Sequence, residues 1–193
     1  MSGELISRRS IDSVTEREFD LLLLILLHTS PAFRTFLVSK IVGVDRFEFL
    51  GAWRGVYGNL GESDLLVLLR DTNSCLDALM IEDKIDASFQ PNQAGRYRHR
   101  GEQGRVLEHW ERFVTCVCAP KAYAEPVGWD AILTYEEIAE NLATSDDALS
   151  QFVYQALRQA VDKQRTRGFV PNPIATASGR NTRACSATNS QPR

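Results

Sequence analysis

Asp64 opens an apolar run, Leu65-Leu66-Val67-Leu68-Leu69, and Glu82 and Lys84 close a second one, Ala78-Leu79-Met80-Ile81. If residues 64–70 and 76–85 pair as an antiparallel hairpin about Asn73, Asp64 and Glu82 are equidistant from the turn and face each other. Directly opposed residues have Cβ atoms ~4.5–5.5 Å apart, and like charges there are destabilising. A divalent cation is a direct remedy. Under the two-residue alternation of a strand, Lys84 shares the face of Glu82 while Asp83 points away, leaving the Asp83 backbone carbonyl as a further oxygen. Carboxylates offer hard ligands to Mg²⁺ or Mn²⁺, and a lysine beside them can orient or help deprotonate water. That is chemistry suited to phosphodiester hydrolysis. The bland reading of the same residues is the polar end of a strand carrying a surface ion pair.

The surrounding sequence must supply elements that hold these residues. Thr15 with Glu18 forms a capping-box pattern, so a helix starts near residue 16 and reaches about His28; it is apolar nearly all round and must be buried. Ser30 and Pro31 restart a helix that runs through about Ile41. Arg46 to Tyr57 reads as a strand, closed by a turn at Gly58, Asn59 and Gly61. Asp64 to Arg70 reads as a strand buried on both faces, Asp71 to Ser74 as a turn, and Leu76 to Ile85 as the return strand. A helix opened by Pro91 covers Gln90 to about Gly101, Phe113 to Ala119 is a short strand, and Ala131 to Leu133 a shorter one. Thr134 with Glu137 caps a helix to about Leu142, and Asp146 opens an amphipathic helix to Arg167. The order α-α-β-β-β-α-β-β-α-α indicates an α/β chain with strands and helices mixed.

The whole chain has 193 residues, 44% hydrophobic and 24% charged, enough for one domain with a core of its own. We expect an arm at 1–14, a single domain at 15–168, and a disordered tail at 169–193, which has three arginines and no acidic residue. The longest apolar run, Leu21 to Leu27, is too short to span a bilayer, and a cytoplasmic protein is expected. Cys75, Cys116 and Cys118 read as small buried hydrophobes, and the scattered histidines form no ligand motif. The net charge of −3 advertises no nucleic-acid partner, so any positive field must be local, as at Arg96, Arg98, His99, Arg100 and Arg105.

Three segments together, Glu62-Ser63-Asp64-Leu65-Leu66-Val67, Leu79-Met80-Ile81-Glu82-Asp83-Lys84-Ile85 and Gln93-Ala94-Gly95-Arg96-Tyr97, resemble the PD-(D/E)xK nuclease superfamily. The resemblance implies the restriction-endonuclease-like fold, a mixed β-sheet core flanked by helices. It implies Asp64 and Glu82 as metal ligands, with the Asp83 carbonyl, and Lys84 as the water-activating or charge-stabilising group. Gln93 and Tyr97 match the Gln-x-x-x-Tyr helix of the branch related to recombination exonucleases, orienting substrate or site. Ser63 stands where the motif's name has proline. A helix-borne glutamate often supplements the metal site in this superfamily; Glu18 is the candidate here, though capping explains it equally well. The expected activity is Mg²⁺- or Mn²⁺-dependent hydrolysis of DNA, with Arg96, Arg98 and Arg100 on the phosphate backbone and affinity that falls steeply with salt. The alternative is a non-catalytic nucleic-acid- or protein-binding module on the same fold, with self-association through the last helix as a third possibility.

Overall fold

The computed structural model describes residues 14–58, 61–85, 89–123 and 127–167. The expectations for the N-terminal arm and for the tail at 169–193 lie outside these residues, Val14 excepted. Both capping boxes form. Thr15 and Glu18 cap α1 (Glu16–Thr29), and Thr134 and Glu137 cap α4 (Tyr135–Ala143), each satisfying N–H groups that a helix start leaves without partners. Ser30 caps α2 (Pro31–Val42) by accepting from the Phe33 N–H, and Gly43, at φ 77°, ends it in the left-handed region that favours glycine.

Five strands follow in one sheet of order β1-β2-β3-β4-β5: β1 (Phe47–Gly58), β2 (Gly61–Asp71), β3 (Leu76–Asp83), β4 (Arg112–Ala119) and β5 (Ala131–Thr134). The β1–β2 and β2–β3 pairs are antiparallel, while β3–β4 and β4–β5 are parallel. Between β3 and β4 the chain crosses over through α3 (Gln93–Val106), and α5 (Ala148–Arg167) is the last helix. The architecture is therefore α/β, a mixed five-stranded sheet flanked by helices.

Alternation sorts the strand side chains onto two faces. On one, Leu65, Val67 and Leu69 of β2 and Leu79 and Ile81 of β3 join Leu23, Leu27, Leu37, Ile138 and Leu157 in the main core, where each fully buried aliphatic side chain is worth ~1.5–3 kcal/mol. On the other, Leu66, Ala78 and Met80 meet Tyr97 of α3 in a smaller cluster. Leu68 and Val56 on that second face are only partly buried, because α3 covers the parallel half of the sheet and leaves the β1–β2 end open.

Several boundaries differ from expectation. Asn92 adopts a left-handed conformation (φ 54°, ψ 31°), so Pro91 lies in a turn and α3 begins only at Gln93. The helix also runs past Gly101, since Gly101 and Gly104 lie against the Phe113 and Trp110 rings. β3 ends at Asp83; the Lys84 N–H then donates to the Cys118 carbonyl, which keeps Lys84 at the strand's edge. α5 begins at Ala148, with Asp147 rather than Asp146 accepting from the Ser150 N–H. Its apolar residues Val153, Ala156, Leu157 and Ala160 pack into the core, while Phe152 stays exposed. Cys116 and Cys118 are buried as expected, but Cys75 is half-buried at the β2–β3 turn beside Glu111. Among the described residues, no single helix is long and apolar enough to cross a membrane.

Candidate active site

The β2–β3 register pairs Leu65 with Ile81 and Leu66 with Met80, so the hairpin is centred on Asn73 and its next step brings Asp64 to Glu82. Both lie on the α3 side of the sheet, at the carboxyl end of β3, where ligand crevices form in α/β sheets. The Lys84 Nζ stands 2.5 Å from Glu82 Oε1. Glu82 and Lys84 are 4% and 7% exposed, so this is a buried ion pair rather than a surface one. The bland reading of a solvated strand end is thereby excluded.

Two residues of α3 fix these carboxylates. Gln93 donates from Nε2 to Glu82 Oε1 at 2.5 Å and accepts at Oε1 from the Gln90 N–H, which sets the amide's orientation. The Tyr97 hydroxyl accepts from the Asp64 N–H at 3.2 Å and donates to the Ile81 carbonyl at 3.4 Å, bridging β2 and β3. Gln93 and Tyr97 are 8% and 1% exposed, so their polar groups are spent on the two strands rather than offered to solvent. The Asp83 N–H donates to Asp64 Oδ2 at 2.8 Å. The Asp83 side chain points to the opposite face, where the Tyr135 hydroxyl donates to it at 2.6 Å.

An open cleft of about 450 Å³ lies at this end of the sheet, lined by the carboxylates of Glu16, Asp20, Glu62 and Asp64 together with Arg17, Arg54 and Lys84. Carboxylate crowding there is visible in the titration behaviour. Burial, then the charge of Glu82, pushes Asp64 up to about 7. Burial, then the charge of Asp64, pushes Asp20 up to about 8, against the opposing pull of Arg54. Burial alone would lower the Lys84 ammonium, but Glu82, Glu16 and Asp64 outweigh it and hold the pKa above its ordinary value. Asp83 is raised well above the carboxylate range by burial and by Asp20. Asp20 Oδ1 and Asp83 Oδ2 have no hydrogen-bond partner among the described residues.

Glu18 does not belong to this site. Its carboxylate accepts from the Thr15 N–H and hydroxyl, and it is exposed. At 3.6 residues per turn it stands about 200° around α1 from both Glu16 and Asp20. Those two are the helix's carboxylates in the cleft, beside Arg17, with Glu16 also accepting from the Ile85 N–H. Asp20 was not among the expected residues; the signal that points to it is an acid on the buried stripe that Phe19, Leu23 and Leu27 define.

The arginines are not a shared basic face. Arg96 folds back onto the Pro91 carbonyl and the Gln90 side chain, Arg98 pairs with Asp130 at 2.5 Å, and Arg100 is buried with its guanidinium 4.1 Å above the Tyr97 ring. His28, exposed in the last turn of α1, bonds to the Ala52 carbonyl of β1. Among the described residues, no three His, Cys, Asp or Glu side chains converge as placed on a point where an ion could be held. Compared with protein-family models, curated proteins and solved structures, the chain matches none of them.

Proposed function

We propose that the chain is a divalent-metal-dependent deoxyribonuclease of the restriction-endonuclease-like, PD-(D/E)xK kind. The observation that carries this reading is the meeting of Asp64, Glu82 and Lys84 at the end of two adjacent antiparallel strands, buried and braced by Gln93 and Tyr97. The mixed sheet with a helical crossover between β3 and β4 agrees with that fold.

The residues present fit a divalent cation. Buried Asp20 and partly buried Asp64, both raised toward neutrality, mark more acid than Arg17, Arg54 and Lys84 balance, and every candidate donor is a hard oxygen. Asp64 and Glu82 would hold the ion, with the Asp83 carbonyl and Asp20 as further oxygens in place of Glu18. Bound there, Mg²⁺ or Mn²⁺ supplies Lewis acidity, lowering the pKa of water and stabilising charge on a phosphate. The chain does the rest. Lys84 lines the cleft as an ammonium and is available to offset charge that develops on a phosphodiester oxygen. The Asp83 N–H fixes Asp64, and the Gln93 amide shares Glu82 Oε1 with the Lys84 ammonium, so both carboxylates are held in one orientation.

The test is cleavage of single- and double-stranded DNA with Mg²⁺, Mn²⁺ or EDTA. Cleavage is expected with metal and not with EDTA, and Glu82→Gln and Lys84→Ala should each lose on the order of 100-fold or more, the scale of removing one electrostatic group from an active site. A folded wild type that cuts nothing with either metal would overturn the reading in favour of a binding module.

A further inference from the structure

The α3 side of the sheet carries a second cleft, of about 680 Å³, that the cleavage chemistry does not use. Its floor is Leu66, Leu68 and Met80, and its walls carry two indoles from different elements: Trp53 of β1 and Trp110, which follows α3. Both are held by glycines. A Cβ at Gly51 would meet the Trp53 ring at 2.6 Å, and one at Gly104 would meet the Trp110 ring at 1.9 Å. Trp110 is further pinned by its Nε1–H, which donates to the Gly101 carbonyl at 2.8 Å. The aromatic walls are thus set in place before any ligand arrives, yet Trp53 remains 45% exposed and Leu107 at the rim 64%.

Its neighbourhood indicates what it takes. Arg54 lines both this cleft and the carboxylate cleft, and Ser63 lines this one while its neighbour Asp64 lines the other. The two therefore adjoin across Arg54, and a chain with its phosphate at Asp64 and Lys84 could place a neighbouring group here. An apolar slot with aromatic walls and a polar fringe of Arg54, Gln103 and His109 suits a nucleobase, which stacks through its faces and hydrogen-bonds through its edge. A base reaches such a slot only when it is unpaired.

The geometry points to a nucleobase-binding subsite in this cleft, making single-stranded DNA, or a strand with splayed-out bases, the favoured substrate. This rests on Asp64, Glu82 and Lys84 as the nucleic-acid site, and it goes beyond it in naming the strand state. The test is binding without added metal, read by fluorescence anisotropy, of a short single strand, the matching duplex, and an abasic strand with the same phosphates. The wild type should bind the normal single strand roughly 10-fold or more tighter than either of the others. Trp53→Ala should weaken it roughly 5- to 150-fold, the equivalent of the ~1–3 kcal/mol of a base–aromatic stack. Trp53→Phe should restore most of that, and Leu107→Asp at the exposed rim provides an independent second variant. Equal affinity for abasic and normal strands, or no change in either variant, overturns the subsite even if the protein cleaves DNA. Base-dependent binding that Trp53→Ala weakens, in a protein that cuts nothing, leaves the subsite standing and removes only the nuclease reading.

Discussion

Tyr97 carries both strands of the site on one hydroxyl, which makes Tyr97→Phe the most economical probe of positioning. The variant keeps the ring and its packing against Trp129 but loses the bonds to the Asp64 N–H and the Ile81 carbonyl. Each is worth about 1 kcal/mol. Stability should fall by that order, and cleavage should drop roughly 10-fold in kcat with KM nearly unchanged, since the residue is too buried to touch DNA. A large KM effect would put Tyr97 on the substrate instead. Asp20 and Asp64 bring a pH dependence with a definite sign. Their folded pKa values, about 8 and about 7, lie above the ordinary aspartate range, so between pH ~4 and ~8 the native state binds more protons than the unfolded one. Stability contributed by these groups is therefore full below pH ~4 and is lost progressively as pH rises toward 8. In EDTA the unfolding midpoint should drop by roughly 5 °C or more from pH 5 to 8.5, since each kcal/mol moves it ~2–4 °C. Asp20→Asn should flatten that slope, and Mg²⁺ should reverse it at high pH; a wild-type profile already flat would refute the crowded-carboxylate account.

At the scale of elements, α3 is where composition and role diverge. Gly101 and Gly104 are poor helix formers, and alanine at either would be expected to gain ~1 kcal/mol from propensity alone. Gly104→Ala should nonetheless destabilise, because its Cβ would sit 1.9 Å from the Trp110 ring, and overpacking costs ~1–3 kcal/mol. Urea unfolding decides the sign; a more stable variant would mean that Trp110 moves freely. The same helix shows what sequence can and cannot display. Local signals were legible: both capping boxes, the Ser30–Pro31 restart, the hairpin centred on Asn73 and the α-α-β-β-β-α-β-β-α-α order all appear, since each depends on neighbours within a few residues. The meeting of Asp64, Glu82 and Lys84 followed from register alone. What was not legible came from distant partners. Asn92's left-handed turn displaced the start of α3, Asp130 claims Arg98 from another segment, and Asp20 rather than Glu18 reaches the cleft because helix phase, not proximity to a cap, decides which acid faces inward.

Over the whole molecule, charge pairing among the described residues limits how the proposed nuclease could hold DNA. The net charge is −3, and cations that could have formed a field are committed elsewhere: Arg98 to Asp130, Arg112 to Asp71 and Asp77, Arg70 to Glu48, and Lys40 to Glu137. Near the cleft stand Arg17, Arg54 and Lys84. Counterion release scales with the phosphates neutralised, at about −0.7 in the slope of log affinity against log salt per contact on a single strand. Three contacts from these described residues give a slope of about −2, whereas a helix face of Arg96, Arg98 and Arg100 acting as well would roughly double it. Binding of a short single strand, titrated between about 50 and 200 mM salt, should therefore weaken by only about 10- to 20-fold. Arg96→Ala and Arg98→Ala should leave the slope unchanged, while Arg54→Ala should make it shallower by nearly one contact. A slope steeper than about −4 that either α3 variant relaxes would mean these arginines leave their intramolecular partners to meet phosphate. A shallow slope would mean that affinity comes mainly from bases and not from the backbone, the behaviour of a protein that selects strands by how readily their bases unstack.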